Sequence, residues 1–98
     1  MKTVLITGCS SGIGLDAARL MQARGWRVIA TCRRGDDLDA RRAEGMEAIH
    51  LELADEGSTA RAAAQALALG RIDALVNNAA FAIPGAVEDL PRGALRAI

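Results

Sequence analysis

Residues 3–14 read Thr3-Val-Leu-Ile-Thr-Gly-Cys-Ser-Ser-Gly-Ile-Gly14, and the reading of this stretch decides the fold. Thr3 to Thr7 is a short, β-branched, apolar run of the kind that forms a strand buried on both faces. Gly8 permits a sharp turn off that strand, Gly12 lets backbone approach a pyrophosphate with no Cβ in the way, and Gly14 allows a helix to pack closely on the strand. The helix is visible in the spacing of Ile13, Ala17, Leu20, Met21 and Arg24, and Gly25 stops it. Unpaired N–H groups at its start, beside the hydroxyls of Ser10 and Ser11, form an anion site. The spacing Gly-x3-Gly-x-Gly departs from the generic G-x-G-x-x-G fingerprint, and no Gly-Lys-Ser/Thr follows as a P-loop requires. A glycine-rich turn that serves geometry alone is the competing reading.

Outward from this stretch, strands and helices alternate. Residues 26–31 form a second predicted strand, with Trp26 as a packing residue at its start. Residues 36–44, stopped by Gly45, form a second and more polar helix, and residues 48–53 a third strand. Asp55 with Ser58 can cap an alanine-rich helix ending at Gly70, and residues 72–76 make a fourth strand before a loop containing Ile83-Pro-Gly85. Strand–helix alternation with short crossovers implies a parallel sheet, and right-handed crossovers favour the doubly wound open form. The expected architecture is a Rossmann-like α/β sheet in strand order 3-2-1-4 that ends before a fifth strand. Asp89 and Pro91 open a last helix whose apolar stripe of Leu90, Ala94, Leu95 and Ile98 has no stop signal. Residues 1–98 are therefore expected to be the N-terminal part of a single dinucleotide-binding domain.

Composition removes several function classes. The 98 residues carry 12 basic and 12 acidic side chains, a net charge of zero that does not suit a phosphate-tracking nucleic-acid surface. No apolar run approaches the roughly 20 residues needed to span a membrane. Met1 and Lys2 lead directly into the first strand without a signal-peptide pattern, and Cys9 and Cys32 are too few for a disulfide framework, so a reducing cytoplasm is expected. Tyrosine is absent and Lys2 is the only lysine. Chemistry that needs a phenol donor, or a lysine beyond the second position, is not carried by these residues.

The ends of the second, third and fourth strands should face the same crevice as the glycine turn. About 20 residues beyond the glycines, an acid would hold the ribose 2′-hydroxyl of NAD. Cys32 stands there instead, followed by Arg33 and Arg34. Charge-assisted bonds from arginine to a 2′-phosphate are worth roughly 1.5–3 kcal/mol, a preference for NADP over NAD of about one to two orders of magnitude. Two arginines that merely solvate a loop are the alternative. Glu52 can accept from an adenine amino group, and Asn77 and Asn78 can tie the fourth strand to its neighbours or to a ribose, although Asn-Asn is also a common turn. His50 has no nucleophile partner at a recognisable spacing, and Cys9 with Cys32 makes a poor zinc site, so no metal is expected. Phe81 can touch substrate or simply cover a loop.

The Thr-Gly-x3-Gly-x-Gly loop at Thr7 to Gly14, together with Asn-Asn-Ala at Asn77 to Ala79, resembles the short-chain dehydrogenases/reductases over the whole chain. The resemblance implies an NADP(H)-linked oxidoreductase that moves hydride reversibly between a nicotinamide and a small alcohol or carbonyl substrate. It further implies a homo-oligomer, and the charge balance and short apolar runs leave no nucleic-acid or membrane partner expected. Carried over residue by residue, Gly8, Ser10, Ser11, Gly12, Ile13 and Gly14 correspond to the pyrophosphate and adenosine-side loop. Arg33, with Arg34 beside it, corresponds to the 2′-phosphate contact, Glu52 and Leu53 to the adenine contact, and Asn77 and Ala79 to the border of the nicotinamide-side ribose. Glu52 stands where the family usually has aspartate, and Ala80 replaces the glycine that usually closes Asn-Asn-Ala-Gly. The family's catalytic Asn, Ser and Tyr-x3-Lys would lie downstream of Ile98, so no catalytic residue is expected in this chain and the chain alone should be inactive. A non-catalytic dinucleotide-binding sensor or regulator on the same fold is the alternative function.

Overall fold

A computed structural model describes residues 1–78, which form the elements β1 (Thr3–Ile6), α1 (Gly12–Ala23), β2 (Arg27–Cys32), α2 (Gly35–Ala43), β3 (Glu47–His50), α3 (Glu56–Ala68) and β4 (Ala74–Val76). The four strands make one parallel sheet in the order β3-β2-β1-β4, as the alternation predicts. The loop at Pro84, Phe81 and the helix expected after Asp89 lie outside the described residues.

Period-two side-chain alternation divides the strands between two cores. Val4, Ile6, Val28, Ala30 and Cys32 point to one face, where Ala18 of α1, Leu38 of α2 and Met46 cover them. Ile29 and Ile49 point to the other, beneath Ala62 and Ala66 of α3, with Leu5, Leu51, Leu69 and Ile72 packed alongside. Burial on both faces explains why β1 and β2 are apolar runs instead of alternating ones. Alanines at the helix contacts, with Ala18 fully buried and Ala66 nearly so, let the helices lie close to the sheet.

The third strand is shorter than its sequence suggests. The N–H of Leu51 still donates to the Cys32 carbonyl, but that of Glu52 donates to the Ser58 hydroxyl at 2.8 Å and leaves the sheet. The expected capping role of Ser58 is corrected by the same bond: its side chain sits buried inside α3, while Asp55 alone caps that helix by accepting from Gly57 N–H at 2.9 Å. Trp26 packs at the edge of the first core, as expected, with Lys2 Nζ 5.7 Å from its ring centre.

Gly14 sets how near α1 can come to the end of β1. A Cβ built there would lie 2.1 Å from the Gly8 carbonyl oxygen and 2.6 Å from Asn78 Nδ2. Gly12 meets no atom within 4 Å but has φ of +65°, a conformation that disfavours an L side chain. The two glycines are therefore needed for different reasons. In the full-length protein, Gly14→Ala should destabilise by about 3 kcal/mol or more, the upper end of core overpacking, because the clash is with backbone, and Gly12→Ala by only the roughly 1–2 kcal/mol of a left-handed L residue. Urea unfolding ranks the two, and equal losses contradict the clash at Gly14.

Glu44, which follows α2, is gripped by both helices of its face. Its carboxylate accepts from Arg19 Nε of α1 at 2.7 Å and lies 2.8 Å from Arg41 Nε of α2. The Arg19 hydrogen bond is the main cause holding its carboxyl below the usual carboxylate range. A depressed native pKa adds stability that is complete above the ordinary carboxylate range and disappears as pH falls through the native value. Glu44→Gln should therefore narrow the difference between urea midpoints measured at about pH 7 and about pH 3, whereas an unchanged difference removes Glu44 as a source of acid sensitivity.

Candidate functional site

The carboxyl ends of β1, β2 and β3 converge on a cleft of about 520 Å³. Two threonines brace it, Thr31 on its lining and Thr7 beside the segment after β4. Thr31, buried at the end of β2, accepts the Gly8 N–H on its hydroxyl at 3.2 Å and the Cys9 N–H on its carbonyl at 2.8 Å, which pins the glycine turn across the sheet. The Thr7 hydroxyl accepts from Asn78 N–H at 2.9 Å and reaches Asn77 Oδ1 at 3.3 Å, which joins the end of β1 to the segment after β4. Asn78 Nδ2 also donates to the Gly8 carbonyl at 3.3 Å. The Asn-Asn pair thus ties neighbouring segments together.

From the glycine turn, Gly8, Ser10 and Ser11 line the cleft. Ser11 is the N-cap of α1 by its extended backbone, yet its side chain makes no capping hydrogen bond and the first turn of α1 contains no acid. By contrast α2 begins with Asp36 and Asp37, and α3 has Asp55 and Glu56. The N-terminus of α1 therefore keeps its positive end uncompensated, with a hydroxyl beside it.

The opposite wall comes from the ends of β2 and β3. Arg33 and Arg34 line it with Cys32, facing Leu51, Glu52 and Leu53. Glu52 Oε2 lies 3.7 Å from Arg33 Nε, an open ion pair, while its Oε1 accepts from Ala54 N–H at 3.3 Å. The Cys32 thiol is within reach of the Ser10 hydroxyl, and burial is the main cause raising its pKa. Burial likewise pushes Cys9 up to about 11, and this thiol donates to the Ile6 carbonyl at 3.2 Å. Both cysteines are free and buried, so neither adds a charge to the glycine turn or to the end of β2 at neutral pH.

Of the residues expected from sequence, Gly8, Ser10, Ser11, Arg33, Arg34, Glu52 and Leu53 come together on this cleft. Gly12 and Gly14 shape the turn and the approach of α1, Ile13 stands 80% exposed on the first turn, and Asn77 bonds behind the cleft to Thr7. Ala79 lies outside the described residues. His50 is exposed at the end of β3, and no group of three or more potential metal ligands occurs among the described residues. No helix among them is long and apolar enough to cross a membrane. Sequence reasoning missed Thr31, Asp37 and the cleft-facing role of Asn78. It also missed Arg41, whose position one turn after the buried Leu38 was the available signal.

A family model described as short chain dehydrogenase matches residues 2–98. An uncharacterized oxidoreductase of Escherichia coli K12 is 38% identical over 93 residues, covering 93% of this chain and 35% of its own length. Serine 3-dehydrogenase of Agrobacterium fabrum is 45% identical over 86 residues, covering 83% and 34%. Among solved structures, a short-chain dehydrogenase from Streptomyces avermitilis superposes with a TM-score of 0.80 at 41% identity, covering 98% of this chain and 37% of that one. A metagenomic short-chain oxidoreductase in complex with NADP gives a TM-score of 0.74 at 34% identity, covering 98% and 47%. The chain spans about a third of the length of the curated relatives it matches. With its parallel 3-2-1-4 sheet, its glycine turn and a family match that runs nearly end to end, the chain belongs to the short-chain dehydrogenase family.

Proposed function

We propose that this chain is the NADP(H)-binding portion of an oxidoreductase that interconverts a small alcohol and its carbonyl compound. The observation that carries the reading is the pairing, across one cleft, of the acid-free N-terminus of α1 with Arg33 and Arg34 at the end of β2. A dinucleotide phosphate has negative charge at two places, the pyrophosphate and the 2′-phosphate, and the cleft has positive ends at two places. Gly8, Ser10, Ser11, Gly12, Ile13 and Gly14 would hold the pyrophosphate side. Arg33 and Arg34 would take the 2′-phosphate, and Glu52 and Leu53 would border the adenine. Asn77 and Ala79 would border the nicotinamide-side ribose.

Cys32 supports the choice of phosphate over bare ribose. A neutral thiol neither repels a phosphate nor accepts strongly from a ribose hydroxyl, whereas a carboxylate there would do both. The Glu52 carboxylate lies at the longer ion-pair limit from Arg33 and leaves that guanidinium, with its side chain 68% exposed, available to a ligand. The nicotinamide group supplies or accepts the hydride. This chain's residues would bind and orient it, while the phenol and lysine that the family uses for proton transfer are not among residues 1–98, which hold no tyrosine and, as lysine, only Lys2 just before β1. The 98 residues alone are accordingly expected to be inactive. In the whole protein we place the activity in the cytoplasm, on a small-molecule substrate and in a homo-oligomer.

Titration of the full-length protein with NADPH and NADH tests the reading. Arg33→Ala should weaken NADPH by roughly tenfold or more and NADH by much less, in line with the loss of a charge-assisted bond. Equal weakening of the two cofactors removes the assignment of Arg33, and absence of binding to either by the unaltered protein removes the cofactor reading altogether.

A further inference from the structure

Arg41 is the only buried charged residue among the described ones, with 6% of its surface exposed. A guanidinium taken out of water is costly unless its donors are matched, so its partners indicate what its burial achieves. One terminal nitrogen of Arg41 donates to the Cys9 carbonyl at 2.9 Å and to the Ser10 carbonyl at 3.4 Å. Its Nε lies 2.8 Å from Glu44 Oε2, a close ion pair in which the two atoms are not aligned as a hydrogen bond. Glu44 is in turn held by Arg19 from α1. The buried charge of α2 therefore ends on the back of the glycine turn, whose front lines the cleft through Gly8, Ser10 and Ser11.

We infer that Arg41 is a positioning residue for the anion site at the glycine turn. The inference rests on the reading of that turn as the pyrophosphate cradle. Carbonyl oxygens facing an anion would repel it, and the turn has several to dispose of. Arg41 draws two successive ones, those of Cys9 and Ser10, to the side away from the cleft. Thr31 meanwhile consumes the N–H groups of Gly8 and Cys9. The turn is thus fixed from behind on both its donor and its acceptor sides, and the serine hydroxyls and the start of α1 are left to face the ligand. Glu44, whose carboxylate is shared between Arg41 and Arg19, ties this arrangement to α1.

The test separates the pyrophosphate side of the cleft from the 2′-phosphate side. NADPH and adenosine 2′-monophosphate, which lacks the pyrophosphate, are titrated into the full-length protein and its Arg41→Met variant, with the thermal midpoint measured in parallel. The expected result is about a tenfold weaker Kd for NADPH with adenosine 2′-monophosphate changed by less than about twofold. Equal weakening of both ligands shows a general structural defect and overturns the inference, as does an unchanged NADPH affinity in a folded variant. If Arg41→Met does not fold, Arg41→Lys replaces it. That variant keeps the charge and loses part of the reach, so a selective loss of about threefold for NADPH is expected, and no selective loss overturns the inference. Failure of the unaltered protein to bind either ligand would instead strike the cofactor reading on which the inference rests.

Discussion

The tightest approach at any described glycine is that of Gly14 to the Gly8 carbonyl, where the first turn of α1 lies against the end of β1 with no room for a Cβ. Most features of the cleft follow from that contact. Because α1 starts so near the sheet, its N-terminus points over the ends of the strands, not past them. Because the Gly8 carbonyl is also bonded by Asn78, the same contact brings the segment after β4 to the turn. Thr31 and Thr7 then lock the turn to the strands on either side of β1. A single missing side chain thus allows three strand ends and one helix start to meet.

Electrostatic organisation is local, against an overall balance of charge. The chain has 12 basic and 12 acidic residues, and where each one stands decides the field at a given site. Arg33 and Arg34 stand on the cleft, and Arg41 stands behind it. Several acids serve elsewhere: Asp55 caps α3, Asp73 accepts from Thr3 N–H at 2.8 Å near the start of β1, and Glu44 clamps two helices. Asp37 is an acid on the cleft with Glu52, and it also occupies the first turn of α2, where the helix dipole favours it. Net charge therefore carries little information about the field at a particular site.

Much of the fold was legible in the sequence because its elements differ in period. The β-branched runs at β1 and β2, the glycines that stop α1 and α2, and the order of the elements lead directly to a parallel sheet. Errors arose where a polar side chain competed with the ladder or with a cap. The third strand ends at His50 because the Ser58 hydroxyl takes the Glu52 N–H, and no pattern of apolar residues reports such a bond. The site was legible to the extent that its residues are contiguous: the glycine turn and Arg33-Arg34 are local words. Arg41 and Thr31 were not, because their meaning depends on partners 32 and 23 residues away.

By itself, then, the amino-acid sequence determined the alternation of strand and helix, the parallel sense of the sheet and the glycine turn with its two arginines, since these arise from local periodicity and from residues adjacent along the chain. Tertiary structure decided which polar groups remain available. It committed the Asn77–Asn78 pair to joining segments, turned the Cys9 and Ser10 carbonyls onto Arg41, and kept Cys32 neutral through burial. The physical reason is that hydrogen bonding and desolvation depend on distance in space, and the residues concerned meet only when the sheet and its helices have packed.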